Sequence, residues 1–324
     1  MPVRPNILTD ATARNAYVQG VLALNREMTS VTTGGLGISG PNTPLSTWDL
    51  FVLWHYYTMN TATPAGSSRN AAHRGPVFLP WHRWMLLLLE TQLQRVLNNP
   101  NFGLPYWDWA ADGDRPIPQQ SGLALWTHIS TTLPNGPFAF NPQSAQSFRV
   151  RVWENPFTGQ LEAVNRALWR ELGQDTQSPG LPTTAAVTES LRRTRYDRSP
   201  YTASSTNNFR NEVEGWTGAV VPGLHNRVHV WVGGDMGPGT SPNDPVFYLN
   251  HCNEDRIWEG WMVGRGRIYE PPATAAQNLF RHRLSDPLLS MLTQQQPLVS
   301  QMLDLSLFVP AARVPTYDVL PAVP

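Results

Sequence analysis

Six of the eight histidines in this 324-residue chain form two sets of three: His55, His73 and His82, then His225, His229 and His251. Imidazole is a borderline-soft nitrogen donor that suits copper, zinc, iron and nickel, whereas magnesium, calcium and manganese prefer oxygen. Two such sets predict two transition-metal ions, each with a coordination position left open. His225 and His229 are four apart, so on a helix they share one face and can reach one ion. The zinc-protease form of that spacing needs glutamate directly after the first histidine as general base. Asn226 stands there instead, which argues against proteolysis. Di-iron sites on helical bundles take glutamates with a Glu-x-x-His motif, and no such motif accompanies these histidines. A single zinc needs only one triplet. Two neutral, all-nitrogen triplets fit a pair of copper ions about 3.5–4 Å apart, the usual two-metal separation. His128 and His282 have no partner at ligand spacing and read as ordinary histidines.

Helices must position these side chains. Ser46-Thr47-Trp48-Asp49 reads as a capping box, with Asp where Glu or Gln is usual, and opens a helix to Met59 that puts Phe51, His55 and Met59 on one face. A second helix, from about Pro80 through Trp81 to Leu97, aligns His82, Leu86, Leu89 and Leu93. A third covers Leu224 to Val232 and stops at Gly233-Gly234. The fourth opens at Asp244-Pro245 and runs to about Val263, aligning Phe247, His251, Asp255 and Trp258. His73 lies in a polar loop between Gly66 and Gly75. The predicted fold is mainly α: a central four-helix bundle housing a dinuclear copper site, with long irregular loops and little β structure. Without a repeat or a low-complexity linker, residues 1–324 read as one domain, with 271–324 as a mostly extended C-terminal arm.

Composition narrows the class. Charged residues are 15% of the chain and the formal net charge is zero, which argues against an electrostatic grip on nucleic acid or an anionic membrane. Every basic side chain is arginine. The longest apolar run, Trp84 to Leu89, is far short of the roughly 20 residues a membrane span needs. No apolar run follows the N-terminus, so no signal peptide is expected. Cys252 is alone, so no internal disulfide can form. Thirty prolines and 24 glycines imply long irregular connections.

The residues around the histidines resemble bacterial tyrosinases, the type-3 copper phenol oxidases. The resemblance rests on His73-Arg74-Gly75-Pro76-Val77-Phe78-Leu79-Pro80-Trp81-His82-Arg83 and on Leu104-Pro105-Tyr106-Trp107-Asp108-Trp109. It continues through Glu214-Gly215-Trp216, His225-Asn226-Arg227-Val228-His229 and Ser241 to His251, followed by Asp255-Arg256-Ile257-Trp258. Order and spacing agree over roughly residues 45–262. The resemblance implies that His55, His73 and His82 hold one copper and His225, His229 and His251 the other, with O2 as co-substrate. Glu214 and Asn226 match the pair that holds a water helping to deprotonate an incoming phenol, against the simpler reading of Glu214 as an ion-pair partner of an arginine. Phe247 matches an aromatic packed on the ligand rings. Asp255 is expected either to orient a ligand histidine or to pair with an arginine.

Departures from the pattern carry expectations too. Ala71 stands where fungal and plant relatives often carry a cysteine bonded to a histidine, so that thioether is absent. Asn250 replaces a second, non-ligand histidine, so local hydrogen bonding must differ. Val230 is apolar where some relatives place a basic residue that influences substrate preference. The implied activity is oxidation of o-diphenols to o-quinones with ortho-hydroxylation of monophenols, or, alternatively, o-aminophenol oxidation to quinone imines or nitroso products. A haemocyanin-like oxygen carrier is a remote third reading, disfavoured because the sequence after the last ligand helix is too short for a shielding domain. A small caddie-type copper chaperone is the expected partner. Tyr317 is considered as a plug for the entrance, with packing of the tail as the simpler alternative.

Overall fold

Asp49 closes the predicted capping box. Ser46 Oγ accepts from the Asp49 N–H at 3.2 Å while Asp49 Oδ2 accepts from the Ser46 N–H at 2.7 Å. This fixes the start of the first ligand helix in the computed structural model, which describes residues 1–116, 120, 136–174, 180–216 and 223–324. His128 lies outside the described residues.

Helix accounts for 40% and strand for 11%, so the fold is mainly α. The helices are α1 (Ala11–Arg26), α2 (Thr47–Met59), α3 (Phe78–Val96), α4 (Trp109–Gly113), α5 (Thr184–Leu191), α6 (Phe209–Glu214), α7 (Leu224–Val232), α8 (Val246–Arg265) and α9 (Val299–Leu303). Short two-stranded sheets flank them. Strand β1 (Val3–Arg4) runs parallel to β6 (Thr316–Tyr317), and antiparallel pairs join β2 (Met28–Thr32) to β3 (Pro44–Ser46) and β4 (Val150–Glu154) to β5 (Leu161–Arg166).

The four ligand-bearing segments fall close to their predicted bounds. Helix α3 begins two residues before Pro80, because Val77 already offers its carbonyl to the Trp81 N–H at 2.8 Å. It is buried on most of its circumference, and the polar His82, Arg83, Glu90 and Gln94 are buried with its apolar residues. Trp81 and Trp84 pack on Trp54 of α2 with centroids 4.9 and 5.0 Å away. Helix α1 is not among the helices predicted from the sequence. Asp10 caps it by accepting from the Ala13 N–H at 2.8 Å, and Gly20 lets it approach α3 so closely that a Cβ would sit 2.6 Å from Leu93. Helix α7 ends because Gly233 and Gly234 take positive φ, and a Cβ on Gly234 would meet the Trp169 carbonyl at 2.3 Å.

Arginine does the ionic work of the core. Arg170 and Asp244, both fully buried, form a two-pronged pair with each contact at 2.5 Å. The same Asp244 accepts the Val246 N–H at 2.9 Å, anchoring the start of α8. The C-terminal segment lies against α3: Leu289 accepts from the Trp81 indole at 3.0 Å and Met302 from Arg83 at 2.9 Å. Among the described residues no helix is long and apolar enough to cross a membrane.

Candidate metal centre

The structure brings all six histidines together. Helix α2 supplies His55, the loop before α3 supplies His73, α3 supplies His82, α7 supplies His225 and His229, and α8 supplies His251. Within each triad the nearest ring nitrogens lie within 4.8 Å of one another. The triads face each other: His82 of one stacks on His251 of the other, centroids 4.1 Å apart and 1° from parallel.

Backbone carbonyls set the tautomers. His55 Nδ1 meets Gly239 O at 2.7 Å, His82 Nδ1 meets Phe78 O at 2.8 Å, and His229 Nδ1 meets Met236 O at 2.6 Å. His225 Nδ1 lies 3.1 Å from Glu214 O and 3.0 Å from Asn226 Oδ1. A carbonyl can only accept, so each Nδ1 carries the proton and each Nε2 keeps its lone pair. Those Nε2 atoms, with His251 Nε2 and His73 Nδ1, are buried without a hydrogen-bond partner. Burial pushes all six imidazoles below their ordinary range, His55 to about 3 and His229 to about 4. They are therefore neutral at neutral pH, the state that binds metal. Six unpartnered nitrogens in a neutral, nitrogen-only set fit two copper-class ions.

Aromatic rings hold this arrangement from below. Phe247 lies 4.2 Å from the His251 centroid, 5.0 Å from His55, 5.9 Å from His229 and 6.2 Å from His82. Phe78, which sequence reasoning did not single out, sits 4.8 Å from both His82 and His225. A cavity of about 650 Å³ opens above, and His55, His73, His225 and His229 reach it along with Asn226 and Val230.

Glu214 is fully buried, not on the surface. Arg210 donates to its Oε2 at 2.8 Å and the Arg74 N–H to its Oε1 at 2.5 Å, while its carbonyl faces His225. It thus ties the loop of His73, whose Arg74 holds a left-handed φ of 60°, to the helices of the second triad. Burial raises its carboxyl above the usual range and Arg210 pulls it back. Asp255 does not serve a histidine. Its oxygens are taken by Arg83 at 2.5 Å, by Arg4 at 2.9 Å and by the Tyr317 hydroxyl at 2.5 Å. The carboxylate that does reach a ligand ring is Glu254, 3.0 Å from His251 Nδ1. Its spacing, one helical turn after His251, is the sequence signal that marks it. Asn250 is buried with neither side-chain atom hydrogen-bonded. Tyr317, half-buried, is bound at the back of α8 by Asp255 and stands away from the entrance as a packed part of the tail. His282 is buried against Thr63, with Nε2 and Oγ1 2.8 Å apart, and belongs to neither triad.

A helical fold carrying two facing histidine triads under an open cavity has the form of a binuclear transition-metal site. A family model described as the common central domain of tyrosinase matches residues 45–263. A tyrosinase of Streptomyces glaucescens is 39% identical over 223 residues, covering 66% of this chain and 72% of that one. Grixazone synthase of Streptomyces griseus is 32% identical over 283 residues, covering 81% and 84%. Among solved structures, a polyphenol oxidase variant from Thermothelomyces thermophila superposes with a TM-score of 0.62 at 20% identity, covering 94% of this chain and 86% of that one. The chain belongs to the tyrosinase family and is a tyrosinase-type copper oxidoreductase.

Proposed function

We propose that this protein uses O2 to oxidise o-diphenols to o-quinones and to ortho-hydroxylate monophenols. His55, His73 and His82 would hold one copper ion, and His225, His229 and His251 the other. Such a pair, when bound, supplies dioxygen uptake and two-electron oxidation of an electron-rich ring. The observation that carries this reading is the set of buried, unpartnered ring nitrogens beneath a cavity large enough for a single-ring substrate.

The chain's own residues do the rest. The cavity wall between Val230 and Asn226 seats the ring over His225 and His229. Phe247 and Phe78 keep the imidazoles from turning. A phenol of ordinary pKa near 10 must lose its proton before it can bind a metal. Asn226 Oδ1 and the Glu214 carbonyl meet at the same edge of His225, which supports a water held there to accept that proton. The raised pKa of the Glu214 carboxyl suits it to proton uptake, with Arg210 limiting that effect.

A second reading is o-aminophenol oxidation. It is favoured by the match to a relative named for a different product, grixazone synthase, which spans more of this chain than the Streptomyces tyrosinases do. Oxygen uptake by copper-loaded protein on tyrosine, catechol and o-aminophenol decides between the two. Fast turnover of the aminophenol with none of tyrosine would remove monophenol hydroxylation. We also propose that a small partner protein delivers copper, because the triads lie buried in the fold. Two coppers per chain after expression without any partner would refute that need.

A further inference from the structure

Of the five histidines carried on helices, four have a backbone carbonyl on Nδ1. His251 has none. The group beside its Nδ1 is the carboxyl of Glu254, 3.0 Å away on the next turn of α8 and 1% exposed. The two atoms are close without being aligned as a hydrogen bond, and the Asn250 side chain is the other polar group that acts on the Glu254 carboxyl. The nearby arginines are committed elsewhere: Arg210 to Glu214 and Asp197, Arg256 to Asp108, and Arg83 and Arg4 to Asp255. A buried carboxyl without a counter-charge costs free energy, so its presence calls for a compensating interaction. The Nδ1–H edge of the neutral His251 ring, within reach, supplies one.

We infer that Glu254 is the positioning residue of His251, accepting its Nδ1 proton and so fixing Nε2 toward the second metal. A carboxylate behind a ligand histidine sets ring orientation and raises its donor strength. Glu254 thereby does with a side chain what carbonyls do for the other four. Among the described residues the second triad is made chemically unlike the first, since its α8 ligand alone is backed by an acid. This rests on the copper reading above for its consequence, but the tautomer it requires exists in the metal-free protein.

The test compares wild type, Glu254→Gln and Glu254→Leu. Glutamine keeps an accepting oxygen and leucine keeps only bulk. In metal-free protein, ¹⁵N NMR should show His251 protonated on Nδ1 in wild type and in Glu254→Gln. An Nε2-protonated His251 in wild type overturns the inference whatever the metal. In copper titrations against a chelator, Glu254→Gln should hold two ions. Glu254→Leu should hold one tightly and the second about 10–100-fold more weakly. Metal-free Glu254→Leu should still fold, since leucine fills the space and only the contact to His251 Nδ1 is lost. Earlier unfolding with both ions weakened equally would mark a merely structural role, and unchanged binding of both would also overturn the inference. A wild type that takes up no copper while showing the Nδ1 tautomer would instead count against the proposed function.

Discussion

His82 of α3 and His251 of α8 stack face to face, 4.1 Å between centroids and 1° from parallel, although they belong to different triads. The separation of the two metal positions is therefore set by how α3 packs on α8. Replacing either ring by alanine should remove one ligand and also free its neighbour to tilt. Elemental analysis of His82→Ala or His251→Ala is expected to show at most one firmly held copper, with phenol oxidation lost. Two tightly bound ions in either variant would contradict the assignment.

Behind that stack, Asp255 gathers Arg83, Arg4 and Tyr317. Removing the acid leaves two buried guanidinium groups short of a counter-charge, which typically costs about 3–5 kcal/mol. Denaturant unfolding of Asp255→Ala should show a loss of that order. Tyr317→Phe deletes only hydrogen bonds and should cost about 1–3 kcal/mol. These contacts join both ends of the chain to the ligand helices, which is why we propose that residues 1–324 act as one domain. A metal-free protein that keeps its stability after deletion of residues 315–324 would refute that.

Phe247 touches four of the six ligand rings. Truncation to alanine opens a cavity between them, at about 3–5 kcal/mol by comparison with other buried phenylalanines. Weaker copper retention should accompany the lower unfolding midpoint, and Phe247→Leu should lie between alanine and wild type in both measurements.

If Asn226 helps hold the proton-accepting water, its loss should affect monophenols more than diphenols. Asn226→Ala is expected to lower monophenol hydroxylation about 100-fold or more, the usual scale of a general-base contribution. Catechol oxidation should change only a few-fold. Equal losses on both substrates, seen in oxygen-electrode rates, would assign Asn226 to binding alone.

His282 gives a pH signature separate from the metal ligands. Burial, reinforced by Arg69 and Arg210, pushes its imidazole down to about 3, against about 6.5 when unfolded. Between those values the unfolded chain binds a proton that the folded chain refuses, so stability falls as pH drops through this window. Above about pH 6.5 the contribution is fully present. Comparing wild type with His282→Gln should show the variant losing up to about 1.4 kcal/mol less per pH unit across the window. Parallel stability curves would show that His282 is not the group responsible.

The ligand set was legible because imidazoles at helical spacing are rare and their neighbours are distinctive. Helices α2, α7 and α8 were legible from local signals: the Ser46–Asp49 box, the Gly233-Gly234 stop and the Asp244-Pro245 start. What escaped notice depends on contacts between distant parts of the chain. Arg4 is buried because Glu90 and Asp255, far along the sequence, converge on it. Helix α1 had a readable cap in Asp10, but its value lies in packing on α3, which no local pattern reveals. Asp255 and Glu254 are adjacent in sequence, and which of them reaches His251 depends on side-chain partners that only the folded core supplies.

The parallel pairing of Val3-Arg4 with Thr316-Tyr317 has a consequence for biosynthesis. Arg4 and Tyr317 are 313 residues apart in sequence, so the rear support of both ligand helices is complete only once residue 317 has been made. A rear wall rigid enough to fix both triads therefore depends on a latch between segments that are made far apart in time.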